Sequence, residues 1–206
     1  MSSPHRISAR TKLLDAALSV VREKGFSATS VDELCREAGV TKGAFFHHFD
    51  SKDALGVAAA DYWSETTGEM FKAAPYHQIK DPVERVLGYV ALRKQLLDGE
   101  TAEFTCLVGT MVQEAYASAP AIREACKTSI FGHAETLETD IQAAIDACRL
   151  SPDWTAKSLA LHTQAVLQGA FILAKASGDK AVAEEMVDHL DRYIRSLFSP
   201  TPAQEA

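Results

Sequence analysis

Val31–Lys52, VDELCREAGVTKGAFFHHFDSK, decides how the rest of this chain is read. Ser30 with Glu33 forms a Ser-x-x-Glu capping pattern that starts a short helix. Ala38-Gly39-Val40 ends it, because glycine accepts positive φ and the small alanine permits close approach. Thr41 can cap a second short helix, Lys42 to Phe49. Phe45 and Phe49, four residues apart, can anchor that helix beside Leu34 and Val40, which turns Lys42, Gly43, Phe46 and His47 to the opposite side. Lys42 at the helix start can reach guanine O6 and N7, and Phe46 can press on a thymine methyl. Thr41, His47 and Lys52 suit phosphates, with His48 nearby as a further candidate or as a structural histidine. The stretch reads as a helix-turn-helix.

The charge pattern supports a nucleic-acid surface at one end only. The net charge is −7 over 206 residues. Through Lys52, eight Lys/Arg face six Asp/Glu, giving +2 and leaving −9 for the remainder. A mildly basic head on an acidic body confines phosphate affinity to the head. No run of about 18 apolar residues suggests a membrane span. MSSPHRISAR has no apolar segment after its charges, so no secretory leader is expected and the chain is expected in the cytoplasm. Cys35, Cys106, Cys126 and Cys148 lack CxxC or zinc-type spacing, which favours reduced, mostly buried thiols and no metal. HExxH, GxSxG and GxxxxGK[ST] are absent, so no catalytic residue and no cofactor is expected.

Helical periodicity runs through the body, and an all-α fold of about nine helices is expected. Gly25 stops the first helix. Pro75, Asp81-Pro82, Pro120, Ser151-Pro152 and Gly178-Asp179 punctuate the rest, with Phe104 to Ala117 expected as one helix and residues 199–206 as a disordered tail. Thr155 to Ala176 is apolar almost all round and must be covered on two sides. Paired with the final helix it can build a four-helix seam with a second copy, for which Leu159, Val166, Ala170, Leu173, Leu190, Ile194 and Leu197 are the expected residues.

The run GFSATSVDELCREAGVTKGAFFHHFDSKDAL resembles the N-terminal domain of the TetR family of transcriptional regulators. The matching elements are Gly25-Phe26, Ala38-Gly39-Val40, Phe46-His47-His48-Phe49 and Ser51-Lys52, at the family's mutual spacing. The resemblance implies a helix-turn-helix domain in residues 1–52 and an effector-binding and dimerisation domain in residues 53–198. It places Lys42, Gly43 and Phe46 towards bases with Asp32 near them, and Thr41, His47, His48 and Lys52 towards phosphates. Phe46 departs from the family's usual tyrosine, so only the apolar contact survives. The resemblance further implies a homodimeric repressor on a palindromic double-stranded operator, released by a small-molecule effector held in the body. Tyr62, Tyr89, Phe104, Met111, Gln113, Phe131, His133, His162, Gln168 and Phe171 are the candidate effector contacts, mixing apolar walls with a few polar groups. Oxidation sensing through Cys106, Cys126 or Cys148 is the alternative trigger, and a small helical enzyme the remote one.

Overall fold

In the computed structural model, residues 7–199 are described; residues 200–206 of the expected tail lie outside them. Among the described residues there are ten α-helices, one 3-10 turn and no strand. They are α1 (Ala9–Lys24), α2 (Val31–Ala38), α3 (Lys42–His48), α4 (Lys52–Lys72), the turn Pro75–Gln78, α5 (Pro82–Gln95), α6 (Thr101–Phe104), α7 (Leu107–Ala115), α8 (Pro120–Ala147), α9 (Ala156–Ser177) and α10 (Lys180–Phe198). None is long and apolar enough to cross a membrane. The expected helix through Phe104 to Ala117 is broken at Thr105-Cys106. Cys106 turns extended, and its Sγ accepts from the Gly109 N–H at 3.4 Å, a thiol standing where a hydroxyl usually caps.

The chain divides into two compact units. One comprises residues up to Met70 together with Thr105–Ile130; the other comprises Phe71–Phe104 together with Phe131 onward. In the first, α1 contributes Leu13, Leu14, Ala17 and Val21 to a core shared with Leu34, Phe45 and Phe49 of the helix-turn-helix. That core continues past Lys52 into Leu55 and Ala59 of α4, Leu107 and Met111 of α7, and Ile122 and Cys126 of α8. A helix of seven residues has little stability in water by itself, so α3 is held by its packing.

In the second unit α5, α9 and α10 pack together along Val86, Tyr89 and Val90, Leu159, Leu167 and Ala170, and Val187, Leu190 and Ile194. Arg85 ties α5 to α8, its Nε donating to Asp140 Oδ1 at 2.6 Å while Nη1 donates to the Ile79 carbonyl. This packing corrects the expected seam: Leu159, Ala170, Leu190 and Ile194 are filled into the protomer's own interior. Only Val166, Leu173 and Leu197 of that set stay half-buried or exposed. The outward side of α9 instead carries His162, Val166, Gly169 and Leu173, and that of α10 carries Val182, Met186, His189, Tyr193 and Leu197. The His162 and Tyr193 rings meet at 5.1 Å and join the two rows.

Candidate functional site

The helix-turn-helix is built by its caps. Ser30 Oγ accepts from the Glu33 N–H at 3.2 Å and opens α2. The Glu33 carboxylate pairs with Lys24 of α1 and with Arg36, and Lys24 holds it below the usual carboxylate range. The capping pattern therefore doubles as a tie between α1 and α2. Gly39 sits at φ 62°, in the left-handed region, and the Val40 N–H returns to the Cys35 carbonyl at 2.9 Å. Thr41 Oγ1 accepts from the Ala44 N–H at 3.1 Å and starts α3. Phe45, with none of its surface exposed, and Phe49 are sunk in the core, their rings 5.8 Å apart. The opposite side presents Lys42, Gly43, Phe46 and His47 to solvent, with Phe46 51% exposed.

Asp32 of α2 lies beside this face and accepts from Lys42 Nζ at 2.9 Å, which raises the Lys42 pKa from its ordinary value. Both side chains are more than half exposed, so the pair is screened and Lys42 can exchange carboxylate for DNA. His48 is half-buried between the rings of His47 and Phe49. Lys52 is placed differently from an open phosphate contact. Its ammonium donates to the Phe26 and Thr29 carbonyls, both at 3.0 Å, and lies 4.5 Å from the centre of the Phe26 ring. It fastens the α1–α2 loop. That loop is also held by Glu114 of α7, whose Oε2 accepts from the Ser27 N–H at 2.6 Å.

The candidate effector residues scatter. In the first unit Met111 is fully buried core, Tyr62 donates to Asp15 Oδ1 at 3.0 Å, and Gln113 is exposed with its amide turned back to the Gly109 carbonyl. In the second, Phe131 (46% exposed) and His162 point outward, and Gln168 is half-buried. Tyr89, His133, Phe104 and Phe171 do come together, with three residues absent from the expected set: Phe71, Arg93 and Gln164. Gln164 Nε2 donates to Tyr89 Oη at 3.0 Å, and the Tyr89 hydroxyl donates to His133 Nε2 at 2.9 Å. The Phe71 ring lies 4.5 Å from that of His133, and Phe104 lies 6.3 Å from Phe171. Burial, followed by the nearby Arg93 charge, pushes the His133 pKa down to about 4, so the ring is neutral. The overlooked signals were a glutamine inside an apolar helix and an arginine one turn beyond Tyr89.

The cysteines are free. Burial pushes the Cys126 thiol up to about 12 and raises Cys35 as well, which keeps both protonated and unreactive. Cys106 is half-buried and Cys148 exposed.

An exposed recognition helix on buried aromatic anchors, followed by an all-helical body, defines a helix-turn-helix transcriptional regulator. Comparison with known proteins sharpens this. Residues 13–59 match a family model described as bacterial regulatory proteins, tetR family, and residues 82–190 match one described as tetracyclin repressor-like, C-terminal domain. The chain belongs to the TetR family of transcriptional regulators, not to a family of enzymes. It is 28% identical over 112 residues to the transcriptional regulator AcuR of Cereibacter sphaeroides, covering 54% of this chain and 51% of that one. It is also 28% identical over 109 residues to the HTH-type transcriptional repressor DhaR of Mycobacterium sp., covering 53% of each. The match thus spans about half the length of these curated relatives. Its fold is that of the regulatory protein TetR from Rhodobacter sphaeroides, at TM-score 0.79 and 22% identity over 90% of this chain and 98% of that one. A TetR transcriptional regulator from Chloroflexus aurantiacus superposes at TM-score 0.76 with 25% identity, over 90% and 93%.

Proposed function

We propose that this regulator is a cytoplasmic repressor that binds a two-fold symmetric operator as a homodimer and lets go when a small molecule occupies its body. In this division of labour residues 1–52 read the DNA, and residues 53–198 carry effector binding and dimerisation. The observation that carries the reading is the outward face of α3, where Lys42, Gly43, Phe46 and His47 are exposed above a fully buried Phe45. Lys42 takes a guanine edge and Phe46 a thymine methyl. Asp32 either releases Lys42 or accepts from a cytosine amine. Thr41, His47 and His48 approach phosphates, and the α1–α2 tie through Lys52 holds the loop that orients them.

Dimerisation is supported by the outward rows on α9 and α10, in which Val166, Gly169, Leu173, Met186, Tyr193 and Leu197 are left half-buried or exposed. Two such helix pairs can interdigitate across a two-fold axis. The heads then meet major grooves about 34 Å apart, or a longer multiple. The repressor sense follows the relative DhaR, which is named as one. Release needs only a few kcal/mol of differential affinity between two states of the dimer.

The test is a selection of binding sites from a random duplex pool, followed by sedimentation of the complex. The reading requires a palindromic site occupied by two chains. A non-symmetric site bound by one chain would overturn it.

A further inference from the structure

Arg93 of α5 is the one element of the body cluster with an unmet need. Its guanidinium lies 5.3 Å from the Phe71 ring centre, 5.8 Å from Phe171 and 5.9 Å from Tyr89. It makes one hydrogen bond among the described residues, from Nη1 to His133 Nε2 at 3.5 Å, the long limit for such a bond. Among the described residues no carboxylate lies within 4.0 Å of it, whereas Arg85 pairs with Asp140 and Arg195 with both Glu84 and Asp191. A guanidinium carries five N–H donors. Most of those on Arg93 therefore face solvent or a ligand.

The groups around it cannot supply an anion. His133 Nε2 already receives the Tyr89 hydroxyl, so its own proton sits on Nδ1 and the ring is neutral. Tyr89 is fixed in turn by the Gln164 amide. The Phe71 and Phe171 rings that also flank it carry no charge. Contacts with three rings attract the cation. They satisfy none of its hydrogen bonds. A cation half-buried among flat apolar walls, beside a fixed polar relay, matches a flat molecule with one acidic end.

We propose that Arg93, with Phe71, Tyr89, His133, Gln164 and Phe171, is the effector site, and that the effector is a small planar carboxylate. The carboxylate accepts from the Arg93 fork, the geometry in which guanidinium and carboxylate pair most strongly. The planar body lies against the rings. This rests on the effector-release reading above and deepens it.

The experiment is calorimetric titration of the full-length protein with benzoate, phenylacetate and cinnamate, each against its neutral amide. Wild type is compared with Arg93→Gln and Arg93→Lys, both checked for an unchanged circular dichroism spectrum. At least one carboxylate is expected to bind about tenfold or more tightly than its amide, as a charge-assisted bond requires. Arg93→Gln should erase that preference, and Arg93→Lys should keep part of it. The site is overturned if no carboxylate binds, if acid and amide bind alike, or if Arg93→Gln leaves the preference intact. Release of the selected operator, followed in parallel, separates the two claims. Arg93-dependent carboxylate binding without release supports the site and defeats the effector reading. Release by the amides, with the acids no better, defeats the site and spares that reading.

Discussion

Acidification should weaken the second unit through a single ring, and the size of the effect follows from His133. Free imidazole takes its proton near pH 6.5, but the folded chain holds His133 neutral down to about pH 4. The unfolded chain therefore binds this proton first as the pH falls. Stability contributed by His133 is complete above about pH 6.5 and erodes below it, ending near the folded value. The slope approaches about 1.4 kcal/mol per pH unit, so about 2 kcal/mol disappears between pH 7.5 and 5.0. The cause is local: His133 is half-buried against Phe71, accepts from Tyr89 and faces the Arg93 charge. Urea denaturation of wild type and His133→Gln at several pH values across this range isolates the effect, since other titrating groups are common to both. The variant should begin less stable, having lost ring packing, yet lose about 2 kcal/mol less on acidification. Parallel curves for the two proteins would refute the reasoning, because His133 would then titrate alike folded and unfolded.

Three further outcomes follow from the head. Phe45→Ala removes the fully buried anchor of α3 and should cost about 3–5 kcal/mol, read as a lowered urea midpoint. Lys52→Met takes the ammonium from the Thr29 carbonyl and leaves the Phe26 carbonyl with the Thr29 N–H, and should cost about 1–3 kcal/mol; unchanged stability with a flatter salt dependence of DNA binding would make Lys52 a phosphate contact instead. Gly25→Ala forces an alanine to φ +93° and drives its Cβ onto the Glu114 carboxylate, for a loss of about 1–3 kcal/mol in denaturation. Adding Glu114→Ala should relieve the clash but leave the backbone strain, and it also removes the acceptor of the Ser27 N–H, so the double variant should stay less stable than wild type.

The head was legible because its determinants are local. Ser30, Gly39 and Thr41 act on N–H and carbonyl groups within three or four residues, and Phe45 and Phe49 share a face by spacing alone. The tie made by Lys52 is not legible for the opposite reason: its carbonyl partners lie more than twenty residues back along the chain. The break at Thr105-Cys106 has neither proline nor glycine to announce it, only a thiol acting as a cap. α9 is apolar on nearly every side, so periodicity cannot say which side turns inward. Leu159 and Ala170 proved to be interior, while Val166 and Leu173 face out. The cluster around Arg93 draws on α4, α5, α8 and α9 within one unit. Tyr89 and His133 were visible as isolated polar aromatics in apolar surroundings. Arg93 and Gln164 gain their meaning only from the partners that folding brings to them.

The central claim, that the outward face of α3 reads DNA bases, is tested most directly by base-resolved site selection with wild type and Lys42→Ala. Among the described residues Lys42 pairs only with the exposed Asp32 carboxylate, so its loss should leave the fold intact. The account predicts weaker binding and a flattened preference at one symmetric position in each half-site, with every other position unchanged. An identical preference profile at equal affinity would contradict it and take Lys42 out of the reading face.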